Sequence, residues 1–588
     1  MAEQPKSSDS IESLRHTAAH LLAAAVLQLW PDAKPTIGPA IENGFYYDFA
    51  FPEPITAQDL LKIEKQMKKF LNTWKEVTSR EVSADEAKEV YKNNKYKLEL
   101  IQEIVERGEP ITLYKWGNFE DLCRGGHASS AAIIKADAFK LSKLAGAYWR
   151  GSEKNDMLTR IYGFAFETAE ELDAHLAMLV EAEKRDHRKL GKELDLFVFS
   201  DLVGPGLALW TARGTLLRNL LDDFIWSLRK EKGYERVTIP HITKKELYET
   251  SGHWDKFKDD LFKIVTREGH EFAMKPMNCP HHTQIYGRKQ HSYRELPQRL
   301  AETTMCYRDE QSGELHGLSR VRAFTQDDAH VFCRESQIKN EIYSIWDIIN
   351  QFYAAVGFGE LKVRLSLHDP KQMEKYLGSS EVWEKTEHEL RALVEERGVN
   401  AIEAIGEAAM YGPKIDFIAK DAIGREWQVA TIQIDRNQPE RFDLTCINEE
   451  GAKERVVMIH AAIMGSIERF LSVLIEHCAG AFPLWLAPVQ VAVIPVGESH
   501  VDHARQLGAQ MLAQGIRVDV DDANESVGKK IRNAEKQKIP YMIVLGDKEA
   551  ESKEIPVRAR GSQEMKSYAV DACIEMIVQN NREKSLEL

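Results

Sequence analysis

The stretch from about 197 to 484 constrains the fold most, because it mixes strand-like and helix-like runs without any repeating strand–helix–strand rhythm. Arg236 to Ile239, Arg425 to Ile434 and Val456 to His460 read as strands; Leu216 to Lys232 and Gln337 to Val356 read as helices. A parallel sheet needs a crossover between its strands, so the missing rhythm predicts a mostly antiparallel sheet with flanking helices. After Pro488 the pattern changes. Strands are predicted at Val489 to Val496, Ile516 to Asp521, Tyr541 to Leu545 and Ile555 to Arg560, with helices at His500 to Gln514, Val527 to Gln537 and Val570 to Asn580. Such alternation predicts a small α/β domain with a partly parallel sheet.

Ahead of the middle stretch, Asp9-Ser10-Ile11-Glu12 offers a helix start, and apolar residues recur from Leu14 to Leu29 up to Pro31. Strand and turn signals follow at Thr36 to Phe51, then a charged helical stretch at Ala57 to Trp74 and mixed sequence to about Thr168, enough for one α+β domain. Glu171 to Leu194 is charge-dense, helical in period and free of proline, as a solvated connecting helix would be. The expectation is an α+β multidomain chain: a domain over 1–180, a linker helix over 181–196, a central domain over 197–484 and a last domain over 485–588. The polar head Met1 to Ser10 is expected to fray.

At 588 residues, 43% apolar and 29% charged, the chain is long enough for several cores and is not of disordered composition. Seven cysteines, without a secretory leader pattern, point to a reducing cytoplasm. The longest uncharged run, Cys478 to Gly497, has the length of a membrane span but is broken by Pro483, Pro488 and Pro495, so no membrane partner is expected. The net charge of −14 excludes a polycation that coats nucleic acid, though not a local basic groove. Lys529, Lys530, Arg532, Lys536 and Lys538, with one acid, Glu535, among them, form such a cluster. Most clusters of this kind are simply a solvated helix face.

Three constellations carry chemistry. His16 and His20, four apart, share one helix face, and Cys123 and His127 repeat the spacing in a Gly-rich turn after Asp121. A lone pair of histidines is more often half-buried structure; two such pairs make either a zinc site or a hydrolytic site, and spacing does not choose. Cys279, His330 and His460 lie far apart, so no spacing rule joins them. Tyr307-Arg-Asp-Glu310, a Gly-containing loop and Arg320-Val-Arg-Ala-Phe324 read as a hairpin whose arginines can grip a phosphate and whose phenylalanine offers a face to a purine. An ordinary charged hairpin is the commoner meaning of such a pattern.

The residues resemble a known family. Arg308-Asp-Glu310 with Phe324 resembles motif 2 of class II aminoacyl-tRNA synthetases, Val237-Thr-Ile-Pro240 motif 1, and Gly465-Ser-Ile-Glu-Arg469 motif 3. Met277-Asn-Cys-Pro-His-His282, Gly313-Glu-Leu-His-Gly-Leu318, Phe324-Thr-Gln-Asp-Asp-Ala-His330 and Tyr411-Gly-Pro-Lys-Ile-Asp-Phe417 resemble the threonyl-tRNA synthetases in particular, over essentially the whole chain.

The resemblance implies an N-terminal editing domain, a class II catalytic domain and a C-terminal anticodon-binding domain. It implies a threonine–tRNA ligase: L-threonine is activated with ATP and Mg2+, then passed to tRNA(Thr), and seryl-tRNA(Thr) is hydrolysed. One Zn2+ per subunit would be held by Cys279, His330 and His460. Gln326, Asp328, Tyr411, Gln433 and Ser466 would bind threonine. Arg308, Glu310, Arg320, Phe324 and Arg469 would bind ATP, with Arg308, Arg469 and Lys414 catalytic. His16, His20, Lys97, Asp121, Cys123 and His127 would edit without a metal, and Asn524, Arg532, Glu549 and Arg558 would read the anticodon. A cytoplasmic homodimer is expected by the same resemblance. The chain begins fifteen residues before His16, so the extra N-terminal domain of many bacterial members is expected to be absent. Val429 and Arg436 depart from the residues common in the family. The competing reading, a non-aminoacylating RNA-binding regulator, fits less well with an intact set of arginines and zinc ligands; so does a hydrolase that only edits.

Overall fold

The computed structural model describes residues 10–74, 76–552 and 554–588. The head before Ser10 lies outside the described residues. Two compact units divide the chain, Met1–Val180 and Glu181–Leu588.

In the first unit the Ser10 hydroxyl accepts the Ser13 N–H and starts the helix Ile11–Leu29. Its run of small residues, including Ala18, Ala19, Ala23 and Ala25, is buried, so the helix backbone packs closely in the core with Phe45, Tyr47 and Phe49. Those aromatic residues come from the strand Gly44–Ala50, which pairs antiparallel with Met157–Ala165, and that strand in turn with Phe139–Tyr148. A separate three-stranded sheet, Thr78–Val82, Ile111–Trp116 and Phe119–Leu122, carries Asp121.

In the second unit an eight-stranded sheet runs in the order Glu235–Arg236, Gln298–Tyr307, Ala323–Cys333, Val457–Ser466, Glu426–Asp435, Lys414–Lys420, Lys362–Leu367, Ile402–Ile405. All its pairings are antiparallel except the two at the edges. The helices Ala212–Glu231 and Ile338–Ala355 bury Leu217, Leu221, Ile342 and Phe352 in its core. The strand expected at Arg236 to Ile239 ends at Arg236, because the Ile239 N–H is taken by the Glu302 carboxylate rather than by a neighbouring strand.

The charge-dense stretch is two helices, Ala169–Arg185 and His187–Glu193, broken at Asp186, whose carboxylate accepts the Arg188 N–H. The second is not a solvated face: His187, Leu190 and Gly191 are buried, and a Cβ at Gly191 would lie 2.2 Å from the Phe197 ring.

The last sheet runs Val518–Val520, Val491–Pro495, Tyr541–Leu545, Glu554–Ala559, Met565–Ala569, with two parallel and two antiparallel pairings. Met565–Ala569 is absent from the sequence reading. It is a largely exposed edge strand with little apolar alternation to announce it. Among the described residues no helix is long and apolar enough to cross a membrane.

Candidate active sites

Strand register builds the first site. His330 stands opposite His460, His460 opposite Gln433, and Gln433 opposite Lys414, so four neighbouring strands deliver one row of side chains. With Cys279, Arg308, Gln326, Asp328 and Tyr411 they line a cavity of about 560 Å³. Tyr411 stacks on His460 at 4.7 Å between ring centroids. The Asp328 carboxylate accepts the Asn278 amide at 3.1 Å, and the Gln433 Oε1 is buried with no donor among the described residues.

Cys279, His330 and His460 are all buried, with one ligand atom from each lying within 4.8 Å of the others. His330 Nε2 and His460 Nδ1 face one another at 3.1 Å. Each ring is held from behind: His460 Nε2 lies 2.9 Å from Asp435 and His330 Nδ1 lies 2.8 Å from His282 Nδ1. A thiol and two imidazoles, oriented by outer partners and open towards a cavity, fit a zinc ion with a free position. Burial by itself pushes the Cys279 thiol up and the His330 imidazolium down; a bound divalent cation reverses the first effect by drawing out the thiolate.

A second cavity of about 340 Å³ is lined by Arg308, Glu310, Arg320, Phe324, Ser466 and Arg469. Arg308 is shared with the first cavity and lies over the Phe324 ring at 5.1 Å. Arg469 follows the N-cap Ser466, whose hydroxyl accepts its N–H, and has no ion pair among the described residues. Desolvation lowers its pKa, and this arginine has no carboxylate partner of its own among the described residues, a setting that favours an anionic ligand. Glu310 is engaged by Arg320, which also holds Glu314. Ser466, expected beside threonine, lies among the residues of this second cavity.

In the first unit His16, His20, Lys97, Cys123 and Tyr47 line a cavity of about 430 Å³. Cys123 Sγ is 3.5 Å from His16 Nε2 and 3.2 Å from His127 Nε2, and His127 lies behind it. Burial opposes ionisation of the thiol, yet His127, His16 and His20 together hold it far below the ordinary thiol range. Burial likewise disfavours a charged His20, but Asp121 and Cys123 outweigh it and raise its pKa. Asp121 Oδ1 is 2.6 Å from Lys97, and its Oδ2 accepts the Tyr47 hydroxyl at 2.5 Å. The result is a half-buried array of alternating charge that favours ionisation of the Cys123 thiol. Its four Cys and His donors also lie within 4.8 Å of one another.

In the last domain Asn524 and Arg532 are exposed, Arg558 pairs with Glu535, and the Glu549 carboxylate accepts the Gly546 N–H of its own turn. The five-residue basic cluster shrinks: Lys530 is buried, its ammonium donating to the Asp521 carbonyl, and Lys529 pairs with Glu525.

Three family models match this chain: the class II tRNA synthetase core domain (G, H, P, S and T) over 262–478, the anticodon binding domain over 490–580, and the threonyl and alanyl tRNA synthetase second additional domain over 111–162. The threonine–tRNA ligase of Porphyromonas gingivalis is 49% identical over 96% of this chain and 86% of its own length. The chain belongs to the threonine–tRNA ligases. The Synechococcus elongatus ligase is 48% identical over 96% of this chain and 95% of its own, and the Staphylococcus aureus ligase 47% over 99% and 90%. The crystal structure of the RNA binding domain of threonyl-tRNA synthetase from Cryptosporidium parvum superposes with a TM-score of 0.64 at 36% identity, covering 67% of this chain and 98% of that one.

Several supporting residues of this ligase escaped the sequence reading. His282 lies in the Met277 to His282 segment, but its use as a brace appears only when the fold brings His330 beside it. Asp435 and Tyr47 carried no spacing signal at all. Glu468, one residue before Arg469, is 2% exposed and accepts the Thr325 N–H, joining the helix Ile467–His477 to the strand Ala323–Cys333.

Proposed function

We propose that this chain activates L-threonine with ATP, transfers it to tRNA(Thr), and clears seryl-tRNA(Thr) at a separate hydrolytic site. The observation that carries the reading is the junction of two cavities at Arg308, one floored by a Cys/His/His cluster and the other walled by Arg308 and Arg469, neither ion-paired among the described residues, and by an aromatic face. Cys279, His330 and His460 would hold zinc, which when bound supplies a Lewis-acidic position that an amine and a hydroxyl fill together. Valine lacks the hydroxyl and would be refused on that ground, a discrimination that apolar packing alone achieves poorly.

Asp328, Gln326, Tyr411 and Gln433 orient threonine so that its carboxylate oxygen attacks the α-phosphorus; the bond to the β-phosphate oxygen breaks and pyrophosphate leaves, with Mg2+ accompanying the nucleotide. Arg308, Arg469 and Lys414 stabilise the developing charge, and Phe324 stacks on the adenine. Arg320 holds only the Oε2 oxygen of Glu310, so the Oε1 oxygen would accept the adenine amine. Serine carries the same amine and hydroxyl as threonine, which makes a second sieve necessary. There His16, His20, Cys123 and His127 would activate water against the ester carbonyl, with Lys97, Tyr47 and Asp121 fixing the charges. The ester C–O bond breaks and the proton passes to the terminal ribose oxygen.

On this reading 1–180 edits, 181–196 links, 197–484 activates and 485–588 binds the anticodon through Asn524, Arg532, Glu549 and Arg558, in a cytoplasmic homodimer. ATP–pyrophosphate exchange with threonine, serine and valine in turn tests it. Exchange is expected with threonine, weaker with serine and absent with valine. No threonine-dependent exchange by folded, zinc-loaded protein would refute the assignment.

A further inference from the structure

A third group of potential metal ligands among the described residues is Asp186, His187 and Glu476. Its hydrogen bonds leave no place for an ion. His187 Nδ1 is 2.6 Å from Glu476 Oε1, and His187 Nε2 accepts the Leu318 N–H at 3.0 Å. A backbone N–H can only donate, so Nε2 is bare and Nδ1 carries the proton that binds Glu476. The same Glu476 oxygen takes the His187 N–H at 3.2 Å, and Arg425 holds its other oxygen at 2.6 Å. His187 is 1% exposed and both its ring nitrogens are used.

The two partners of His187 belong to the nucleotide cavity's two walls. Leu318 lies in the loop 308–322, which also carries Glu310 and Arg320, and Glu476 lies on the helix Ile467–His477, whose first turn carries Arg469. The loop backbone comes flush against the ring: a Cβ at Gly317 would stand 2.2 Å from His187 Nε2, and Gly317 has φ +51°. Nearer its end the loop is held by Arg322, whose N–H donates to the Gly206 carbonyl. Its inner turn closes on itself through the His316 N–H to Arg320 carbonyl bond, and the buried Leu318 and this imidazole tie that turn to the rest of the protein.

We propose that His187 is a positioning residue for ATP: it ties the loop of Glu310 and Arg320 to the helix of Arg469, from the segment that connects the two units in sequence. The inference rests on the ATP-site reading above, deepens it, and assigns to the connecting segment a part in nucleotide binding. Asn in place of His187 keeps a donor for Glu476 but leaves the Leu318 N–H without an acceptor, whereas Gln carries a carbonyl to the position of Nε2. In ATP–pyrophosphate exchange, His187→Asn is expected to raise the KM for ATP about fivefold, the scale of one lost hydrogen bond, with the KM for threonine within about twofold of the parent. His187→Gln should return the ATP KM most of the way. Gly317→Ala, which leaves His187 itself unchanged but crowds the loop off the ring, should raise the ATP KM as His187→Asn does. An unchanged ATP KM in both His187→Asn and Gly317→Ala overturns the proposal. So does a parallel rise in both KM values, with a lowered Tm, that Gln does not repair. Absence of threonine-dependent exchange in the parent protein would instead overturn the ATP-site reading.

Discussion

A single titratable atom takes its chemistry from what touches it, and Cys123 is the sharpest case. Three histidines around the half-buried Cys123 thiol hold its pKa far below the ordinary thiol range, while burial pushes Cys279, Cys306, Cys333, Cys446, Cys478 and Cys573 the other way. Iodoacetamide at about pH 5.5 is therefore expected to label Cys123 selectively, at a rate nearly flat from about pH 5 to 8, as read by peptide mass spectrometry. Replacing His127 and His16 with Ala should restore a rate that climbs with pH. Labelling that begins only above about pH 8 would show that the thiol is ordinary. The linkage to stability has opposite signs at two neighbours. The folded Cys123 titrates below its unfolded value of about 8.5, so its contribution is complete above that value and is lost as pH falls through the folded one. His20 is raised, so its contribution is complete below about 6.5 and is lost as pH rises through the folded value.

At the scale of elements, the zinc candidates show both what the sequence makes readable and where it stops. Antiparallel strands followed from the missing crossover rhythm, and the hairpin followed from its turn. Which residue of one strand meets which residue of another is a matter of register, set by the whole sheet, and no local pattern in 323–333 or 457–466 carries it. Hence only resemblance points to His330 and His460 in the sequence, and their convergence is a property of the sheet. The helix Cys279–Gly287 adds a second device. Cys279 and His282 are three residues apart on one face, so the same turn supplies a ligand and the brace for His330. Loss of such a brace commonly weakens metal binding by about 10–100-fold. His282→Ala and Asp435→Asn should each lower zinc affinity on that scale, measured by competition with a chelating dye, while Cys279→Ala should remove the metal altogether by elemental analysis. Full zinc stoichiometry in Cys279→Ala would contradict the ligand set, and unaltered affinity in both brace variants would reduce His282 and Asp435 to packing.

Across the molecule, one net charge conceals several surfaces. The acid excess of −14 belongs to the whole chain, whereas from Ala487 onward 14 basic residues face 16 acidic ones. Even there sequence counting overstated the basic face, since Lys530 is spent on backbone carbonyls and Lys529 on Glu525; burial and pairing, which composition does not record, decide which cations remain for RNA. The same separation applies to chemistry. All six editing candidates lie within Met1–Val180 and every activation candidate within Glu181–Leu588, and each set is held by hydrogen bonds inside its own unit. Damage to one array should therefore leave the other intact. Replacing His16 and His20 together with Ala removes both histidines from the helix Ile11–Leu29 without touching Ser10, which caps it, or its buried alanines. Threonine-dependent exchange and charging of tRNA should stay within about twofold of the parent, while deacylation of seryl-tRNA falls by at least about 100-fold, the scale of a lost acid–base group. Mischarged product should then accumulate when serine is the only amino acid supplied. A loss of threonine activation of the same size as the loss of deacylation would show that the two units do not act separately, and undiminished deacylation would take the editing role away from this pair.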